Sequence, residues 1–518
     1  MNTLDSWILQ INDYFWTYLL IPLVAIAGVY FTLRSRAVQV RLLVETFRIF
    51  RDKPKDGVSP FGAFSISAAA RIGTGNIAGV ATAVTLGGPG AVFWMWVMAV
   101  VGGASAFVEA VLAQLYKARG KQPGTYRGGP AYYLERALGK RWLGVLFAAL
   151  ITVTFGFVLT AVQSNTIAVT VKGSLNGADP AWFVPALGAA LAALLALAVF
   201  YGVKRLSMVT QVLVPVMAGF YLILGSVVVL MNITAVPQML GDIIGGAFGI
   251  REVAGGAVGG AILQGMRRGM FSNEAGMGSA PNAAAAAETT HPVKQGLVQT
   301  LGVYFDTLVI CTMTAFVVLS VNPSLAERGG ADVTQSAFHA ALGAWAGHAL
   351  TLVVFMVAFS SMIGNYYYGE SNIGFITRNR WVMVGYRGAI LACTVLGVMG
   401  SVSIVWNLAD ITMGAMALVN LLAILPLSTI AFKLLDDYVA QRREGLNPVF
   451  TRDRVPGLKG VECWEPPAAA EEPQRPEPEA ARGPSSPVEP LPPCDTGAVR
   501  GPGAPPARGP RSEVDRIP

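Results

Sequence analysis

Residues 60–84 read PFGAFSISAAARIGTGNIAGVATAV. The stretch is apolar, rich in small residues and long enough to cross a bilayer. Gly73-Thr74-Gly75-Asn76 interrupts its middle. Each glycine weakens a helix by roughly 1 kcal/mol relative to alanine, and a buried asparagine amide needs polar partners. Broken backbone at membrane depth is tolerated where it is buried in protein or lines a wet cavity. There it frees N–H groups that suit an anion and C=O groups that suit a cation. The spacing therefore predicts a discontinuous helix that builds a binding site, against the plainer expectation of a packing helix with a glycine kink.

Composition places that helix in a polytopic membrane protein. The 518 residues are 53% hydrophobic and 13% charged, with mean hydropathy +0.52, whereas a soluble domain carries nearer 25% charge. The formal charge of +7 calls for no nucleic-acid partner, because the basic residues fall in particular loops. Cys311, Cys393, Cys463 and Cys494 make no disulfide framework, and His291, His339 and His348 form no HExxH motif. No basic n-region with a small-residue cleavage site opens the chain, so no cleaved signal peptide is expected.

Working outward, apolar segments suggest about eleven spans. They cover 14–33, the broken 61–84, then 91–116, 142–171, 181–200 and 208–231. After a weakly hydrophobic connector come 251–272, 294–320, 348–376, 383–400 and 403–431. Residues 34–56 carry seven basic residues among Leu42, Val44, Phe47 and Phe50, which suggests a helix lying on the membrane surface. Lys and Arg gather in 34–56, 117–141, 204–205, 267–294, 378–387 and the end from Lys433. The alternate loops hold only Lys172, Arg251 and Arg328. This bias predicts an external N-terminus and a cytoplasmic C-terminus, which an odd number of spans also requires. Residues 464–518 are rich in Pro, Ala, Gly, Glu and Arg, a composition expected to stay disordered.

Without the first span, ten remain, five in 61–231 and five in 251–431. Each five opens on a glycine-interrupted span, with Gly73 and Gly75 in one and Gly255, Gly256, Gly259 and Gly260 in the other. Odd-numbered halves lie inverted, and paired broken helices at matching positions point to the binding site of a secondary transporter. The expected divisions are 1–56, an extra helix and surface segment; 57–231 and 232–431, the two five-helix repeats; and 432–518, a mostly disordered cytoplasmic tail.

Several blocks resemble the alanine or glycine:cation symporter family. They are GTGNIAGVATAV (73–84), GGPGAVFWMWVMAVVG (87–102), FVEAVLAQLYK (107–117), GMFSNEAGMGSAPNAAAAA (269–287) and VKQGLVQTLGVYFDTLVICT (293–312). The resemblance covers roughly 15–440. It implies an all-α protein with a LeuT-like inverted five-plus-five repeat and one extra N-terminal helix. It also implies sodium-coupled import of small neutral amino acids such as alanine and glycine across a bacterial inner membrane. The co-transported sodium ion would be the only cofactor, the bilayer and the amino acid the only partners, and the chain is read as a monomer.

Residue roles follow from both lines of reading. N–H groups at Thr74, Gly75 and Asn76 suit the substrate carboxylate. Carbonyls near Ala69 and Ile72, at the end of the first half-helix, suit a hard cation. By resemblance to the LeuT-like fold, sodium would lie between those carbonyls and the hydroxyls of Ser360 and Ser361, with the carbonyl of Val357 one turn earlier. Serines in a membrane helix also bond back to their own previous turn. Gln163, mid-span in TFGFVLTAVQSNTIAV, is expected at the substrate or as glue between helices. Gly259 and Gly260 would let substrate approach the second broken helix, with Gln264 one turn on. In SSMIGNYYYGE (360–370) the family pattern implies a tryptophan where Asn365 stands, so the pocket wall is expected to be smaller and more polar.

Glu109, Asp306 and Asp410 are ionisable groups in or near spans, functional by default. Glu109 is expected to snorkel toward a basic loop, and Arg71 to pair with a carboxylate. GTGNIAG does not match GxGxxG, which excludes a nucleotide loop. An intramembrane enzyme would need a nucleophile–base pair or a metal set, and the sequence offers neither motif. Proton coupling, or a larger or polar neutral substrate, is the alternative within transport.

Overall fold

In the computed structural model, residues 10–465 are described except 121, 176–179, 181, 200–202, 250–254 and 321–329. The chain is almost wholly helical. From the N-terminus come α1 (Gln10–Arg34), the short α2 (Val38–Arg41) and α3 (Glu45–Ile49), α4 (Pro60–Arg71), α5 (Gly75–Gly87) and α6 (Gly90–Leu115). A two-stranded hairpin, β1 (Ala118–Arg119) with β2 (Tyr126–Arg127), precedes α7 (Pro130–Leu138), α8 (Arg141–Ser174), α9 (Phe183–Val199) and α10 (Val203–Met231). Then follow α11 (Val236–Ala247), α12 (Gly255–Asn273), α13 (Pro281–Ala286), α14 (Pro292–Ser320) and α15 (Ala331–Leu342). The last are α16 (Ala344–Ile376), α17 (Arg380–Met399) and α18 (Val402–Arg443).

Among the described residues, eight helices are long and apolar enough to cross a membrane: α1, α6, α8, α10, α14, α16, α17 and α18. The other three expected spans are α4 with α5, α9, and α12. Helix α9 falls just short in length, and the α4/α5 span is cut in two.

The cut forms as its residues dictate. Ser59 caps α4, its hydroxyl accepting from the Gly62 N–H at 2.9 Å, and Pro60 stands at the first helical position. The helix ends after Arg71, where Ile72 leaves helical geometry at ψ 87°. Helix α5 restarts at Gly75 with a π-helical turn over Gly75–Gly79, a feature frequent at functional sites. Helix α4 is buried between α10 and α16, and α5 is buried over its first turns, 75–81.

The second break differs from expectation. Helix α12 continues through Gly259 and Gly260 to Asn273. The chain breaks afterwards, at 274–280, before α13. Glu274 (φ 55°), Gly276 (φ 80°) and Gly278 (φ 82°) take left-handed geometry there, and Pro281 starts the next helix. Glycines inside α12 cost helix stability, but neighbours hold the helix; the break comes where the backbone turns to positive φ. Arg267 and Arg268 therefore belong to a buried helix and not to a basic loop. Lys294 remains of that basic loop, paired with Asp52 at 2.6 Å.

The end of the chain is also more ordered than its composition suggests. Helix α18 runs to Arg443, and the following segment packs back across the same end of the bundle. Phe450, Val455, Leu458, Val461 and Trp464 are buried. The Phe450 N–H donates to Thr290 O at 2.8 Å and Trp464 Nε1 donates to Gln114 O at 3.0 Å. These five apolar side chains are too widely spaced to register as an apolar run, yet they suffice to dock a strap. The expected tail from 466 onward lies outside the described residues, as do Arg251 and Arg328.

Candidate functional site

The first break presents its polar backbone to side chains from three helices. The Gly73 N–H donates to Asn76 Oδ1 at 2.9 Å and the Thr74 N–H donates to Gln163 Oε1 at 3.2 Å. A Cβ at Gly73 would lie 2.6 Å from Ser361 Oγ, so any side chain there would push that hydroxyl aside. Thr74 Oγ1 is buried with no hydrogen-bond partner. In this conformation Gln163 thus occupies one of the N–H groups expected to meet a carboxylate.

At the C-terminal end of α4, carbonyls and hydroxyls converge. Ser361 Oγ lies 2.9 Å from Ala69 O, 3.3 Å from Ile72 O and 3.1 Å from Val357 O. Ser360 Oγ lies 2.8 Å from Val357 O and 3.5 Å from Ala69 O. A hydroxyl carries one proton and so can donate to only one of these carbonyls at a time. Two serines against three carbonyls leave lone pairs facing one another, a surplus of oxygen that suits a hard cation. The five residues named for this role from sequence are together.

Asp306, which had no assigned role, ties the first break to the last turn of α12. Its carboxylate accepts from Asn76 Nδ2 at 2.7 Å, from Ser272 Oγ at 2.6 Å and from Thr307 Oγ1 at 3.1 Å. Asn76 sits in the π-helical turn of α5, and Asp306 in another over Phe305–Cys311 of α14. Thr314 Oγ1 also donates to Asn76 O at 2.7 Å. Glu109 does not snorkel: it is buried, and its Oε2 accepts the Gly278 N–H at 3.0 Å in the second break. Asn420 Nδ2 donates to Gly276 O at 3.0 Å in the same loop. Arg71 has no carboxylate within ion-pair distance among the described residues; its Nη1 donates to Gln299 O at 3.3 Å.

Toward the end of the bundle that carries the start of α1, the first break is covered. A Cβ on Gly75 would meet the Phe271 ring at 2.8 Å. Phe271 stacks on Trp406 with centroids 4.8 Å apart. Above the stack, Arg268 Nη1 and Nη2 donate to Asp410 Oδ1 and Oδ2, both at 3.0 Å. Arg267 adds a 2.6 Å contact to Asp13 and one of 3.7 Å to Asp410. This gives Asp410 a partner and defines a ring pair and an ion pair between the site and that surface.

Not every expected residue joins the site. Gly260 faces Leu86 O at 3.8 Å and Gln264 lies against Gly87, at the far end of α5, while Gly259 has open space beside it. Because the break lies beyond Asn273, these glycines sit several turns away from it. Asn365 is one helical turn beyond Ser361 in α16. It is 1% exposed, and neither its Nδ2 nor its Oδ1 has a hydrogen-bond partner. Leaving such an amide unpaired costs about 1–3 kcal/mol for each group. Ser272, Phe271, Arg268 and Trp406 were missed; EAGMG (274–278) marks the break that directly follows the first three, and no local signal marks Trp406.

The model of the sodium:alanine symporter family matches residues 1–452. The amino-acid carrier protein AlsT of Bacillus subtilis is 51% identical over 88% of this chain and 96% of that protein. The probable sodium/glutamine symporter GlnT of the same organism is 48% identical over 88% of this chain and 94% of that protein. The sodium/alanine symporter AgcS of Methanococcus maripaludis is 38% identical over 81% of this chain and 93% of that protein. With matches that run the length of the membrane bundle, the chain belongs to the sodium:alanine symporter family and is an amino acid transporter, not an enzyme.

Proposed function

We propose that the protein couples the entry of sodium to the import of small neutral amino acids by alternating access. The observation that carries this reading is the convergence of Ser361 Oγ on the carbonyls of Ala69, Ile72 and Val357. Sodium binds among those oxygens and Ser360, and draws the end of α4 against α16. The substrate carboxylate takes the N–H groups of Thr74, Gly75 and Asn76, displacing Gln163, whose amide then turns to the amino acid. Coupling is reciprocal: whatever sodium contributes to closing this joint, substrate contributes to sodium affinity.

Alanine and glycine are the core substrates. The unpaired amide of Asn365 favours a wider range, since it can bond a polar side chain such as that of serine or glutamine. The names of GlnT and AgcS, which speak of glutamine and of alanine, are in keeping with that range. Gly259, Gly260 and Gln264 take no part in this pocket. The arrangement is LeuT-like, with α4/α5 and α12/α13 as the paired broken helices of two inverted halves. The N-terminus is external, the strap and tail are cytoplasmic, and the home of the protein is a bacterial cell membrane. The Phe271–Trp406 and Arg268–Asp410 pairs then form the external gate.

A second reading has one observation of its own. Asp306 is a buried carboxylate at the break with no cationic side chain within ion-pair distance among the described residues, and a proton could serve there as the coupling ion. Uptake of a labelled amino acid panel into proteoliposomes, driven in turn by a sodium gradient and by a proton gradient, separates the two. Sodium-driven uptake of alanine, glycine and glutamine is expected; uptake driven equally well without sodium would overturn the primary reading.

A further inference from the structure

A cavity of about 220 Å³ opens where α1, α2 and α18 meet. Arg34, Arg36, Arg41 and Arg443 line it, with Asp436 as the one carboxylate. An unusual turn brings three of the four arginines together, and α18 supplies Arg443. Helix α1 ends in a Schellman motif: the Ala37 N–H donates to Thr32 O at 2.7 Å and the Arg36 N–H to Leu33 O at 3.1 Å. Glycine is the usual residue at the left-handed position of such a motif, yet Arg36 (φ 55°) occupies it and Ala37 (φ 51°) follows in the same geometry. Strained backbone of this kind is held where a site needs it. Its effect is to fold Arg36 and Arg41 back beside Arg34. On the other wall, Phe432, Leu435, Asp436, Val439, Ala440 and Arg443 are one face of α18, at helical spacing.

The charge of this cavity is not neutralised from within. Neighbouring basic residues have partners: Arg442 reaches Glu45 at 3.1 Å and Arg454 reaches Asp437 at 2.9 Å. Among the described residues, none of the four cavity arginines has a carboxylate within the 4.0 Å of an ion pair. The surroundings are apolar on the membrane side. Ile26, Val29 and Leu33 form an exposed stripe down α1 that ends at Arg34. Val40 and Val44, 62% and 79% exposed, flank the cavity on the surface segment.

A strongly cationic cavity at the end of an apolar stripe matches one kind of ligand, a phosphate carried on acyl chains. Basic pockets between membrane helices hold such headgroups, and arginine pairs with phosphate through two N–H bonds at once. We infer that this cavity binds the phosphate of an anionic phospholipid, with its acyl chains along Ile26, Val29 and Leu33. The inference uses the proposed topology only to place the lipid in the cytoplasmic leaflet; the site itself stands apart from the breaks.

The test is native mass spectrometry of the purified full-length chain with phosphatidylglycerol and with phosphatidylcholine. The wild type should retain phosphatidylglycerol in preference. Arg36→Gln with Arg41→Gln should lower that retention by about fivefold for each guanidinium removed. Arg380→Gln, a basic residue outside the cavity, should leave it unchanged. Arg36→Lys with Arg41→Lys keeps the charge but not the paired N–H geometry, so its retention should fall between the wild type and the glutamine variant; retention below the glutamine variant would overturn the inference. So would equal retention of the two lipids, or no change in the glutamine variant. Complete displacement by millimolar inorganic phosphate would sustain the phosphate site and move its ligand from bilayer to solution. Sodium dependence of uptake by the same glutamine variant, in phosphatidylcholine vesicles, reads the transport proposal separately. Sodium-independent uptake there would sink that proposal and leave the lipid measurement standing.

Discussion

Ser361 Oγ stands 2.9 Å from the carbonyl oxygen of Ala69, across 292 residues of chain. That contact joins the unbroken helix α16 to the open end of α4. Its neighbour Ser360 also reaches Met217 Sδ at 3.2 Å, so the two hydroxyls are not equivalent. Ser361→Ala should raise the sodium concentration for half-maximal uptake by about tenfold or more, the scale of one hydrogen bond to a charge. Ser360→Ala should raise it less. Equal and negligible effects would make both serines packing residues.

Asn365 separates specificity from stability. Asn365→Leu removes a buried amide that has no partner in the chain, so thermal stability should hold or rise. Competition of alanine uptake by glutamine or serine should weaken. Asn365→Trp should narrow the profile further, toward glycine and alanine, on the scale of about 1–3 kcal/mol for pocket size. An unchanged competition profile in both well-inserted variants would remove residue 365 from the pocket.

The Arg268–Asp410 pair predicts a loss that charge reversal can repair in part. Breaking one side of a buried pair costs about 3–5 kcal/mol, so Asp410→Asn should lower uptake strongly. Arg268→Asp combined with Asp410→Arg should recover part of it. No recovery, with normal insertion, would indicate that Arg267 and Asp13 carry the closure instead.

The break at 73–76 was legible because it rests on a local signal, two glycines with an asparagine in an apolar run; the approach of Ser360 and Ser361 to the end of α4 was expected only from the resemblance to the LeuT-like fold. The second break was misplaced because glycine content does not itself open a helix. Gly259 and Gly260 stay helical, while Glu274, Gly276 and Gly278 take positive φ. The roles of Asp306, Glu109 and Asp410 depend on partners 34 to 230 residues away, and no spacing rule reaches that far. The strap escaped composition for the same reason. Trp464 is one aromatic in a polar region, and its seat beside Gln114 and Lys117 is made by other parts of the chain.

That strap predicts two different truncations. Ending the chain after residue 465 should leave stability and uptake within a few-fold. Ending it after Asn447 removes Phe450 and Trp464, each worth about 1.5–3 kcal/mol of burial, and should lower the melting temperature. Identical melting of the two would show that the strap does not contribute.

Lys117 gives the strap a pH dependence. Its ammonium lies 4.8 Å from the Trp464 ring centroid and donates to Ala287 O at 2.9 Å, and burial pulls it down to about 7. Between that value and the ordinary one near 10.5, the unfolded chain holds a proton that the folded chain has released. Stability therefore rises with pH across that window and is lowest below it. Lys117→Met should flatten the rise in a thermal-melting series from pH 6.5 to 9.5; an unchanged slope would exclude this lysine as its source.

Binding of radiolabelled sodium to the purified chain tests the central claim most directly. The wild type should bind sodium saturably, with affinity that increases when alanine is added. In Ser361→Ala that affinity should fall about tenfold or more, while the chain remains monodisperse. Sodium binding of equal affinity in the two proteins, unmoved by alanine, would contradict a sodium site at the Ala69–Ser361 joint.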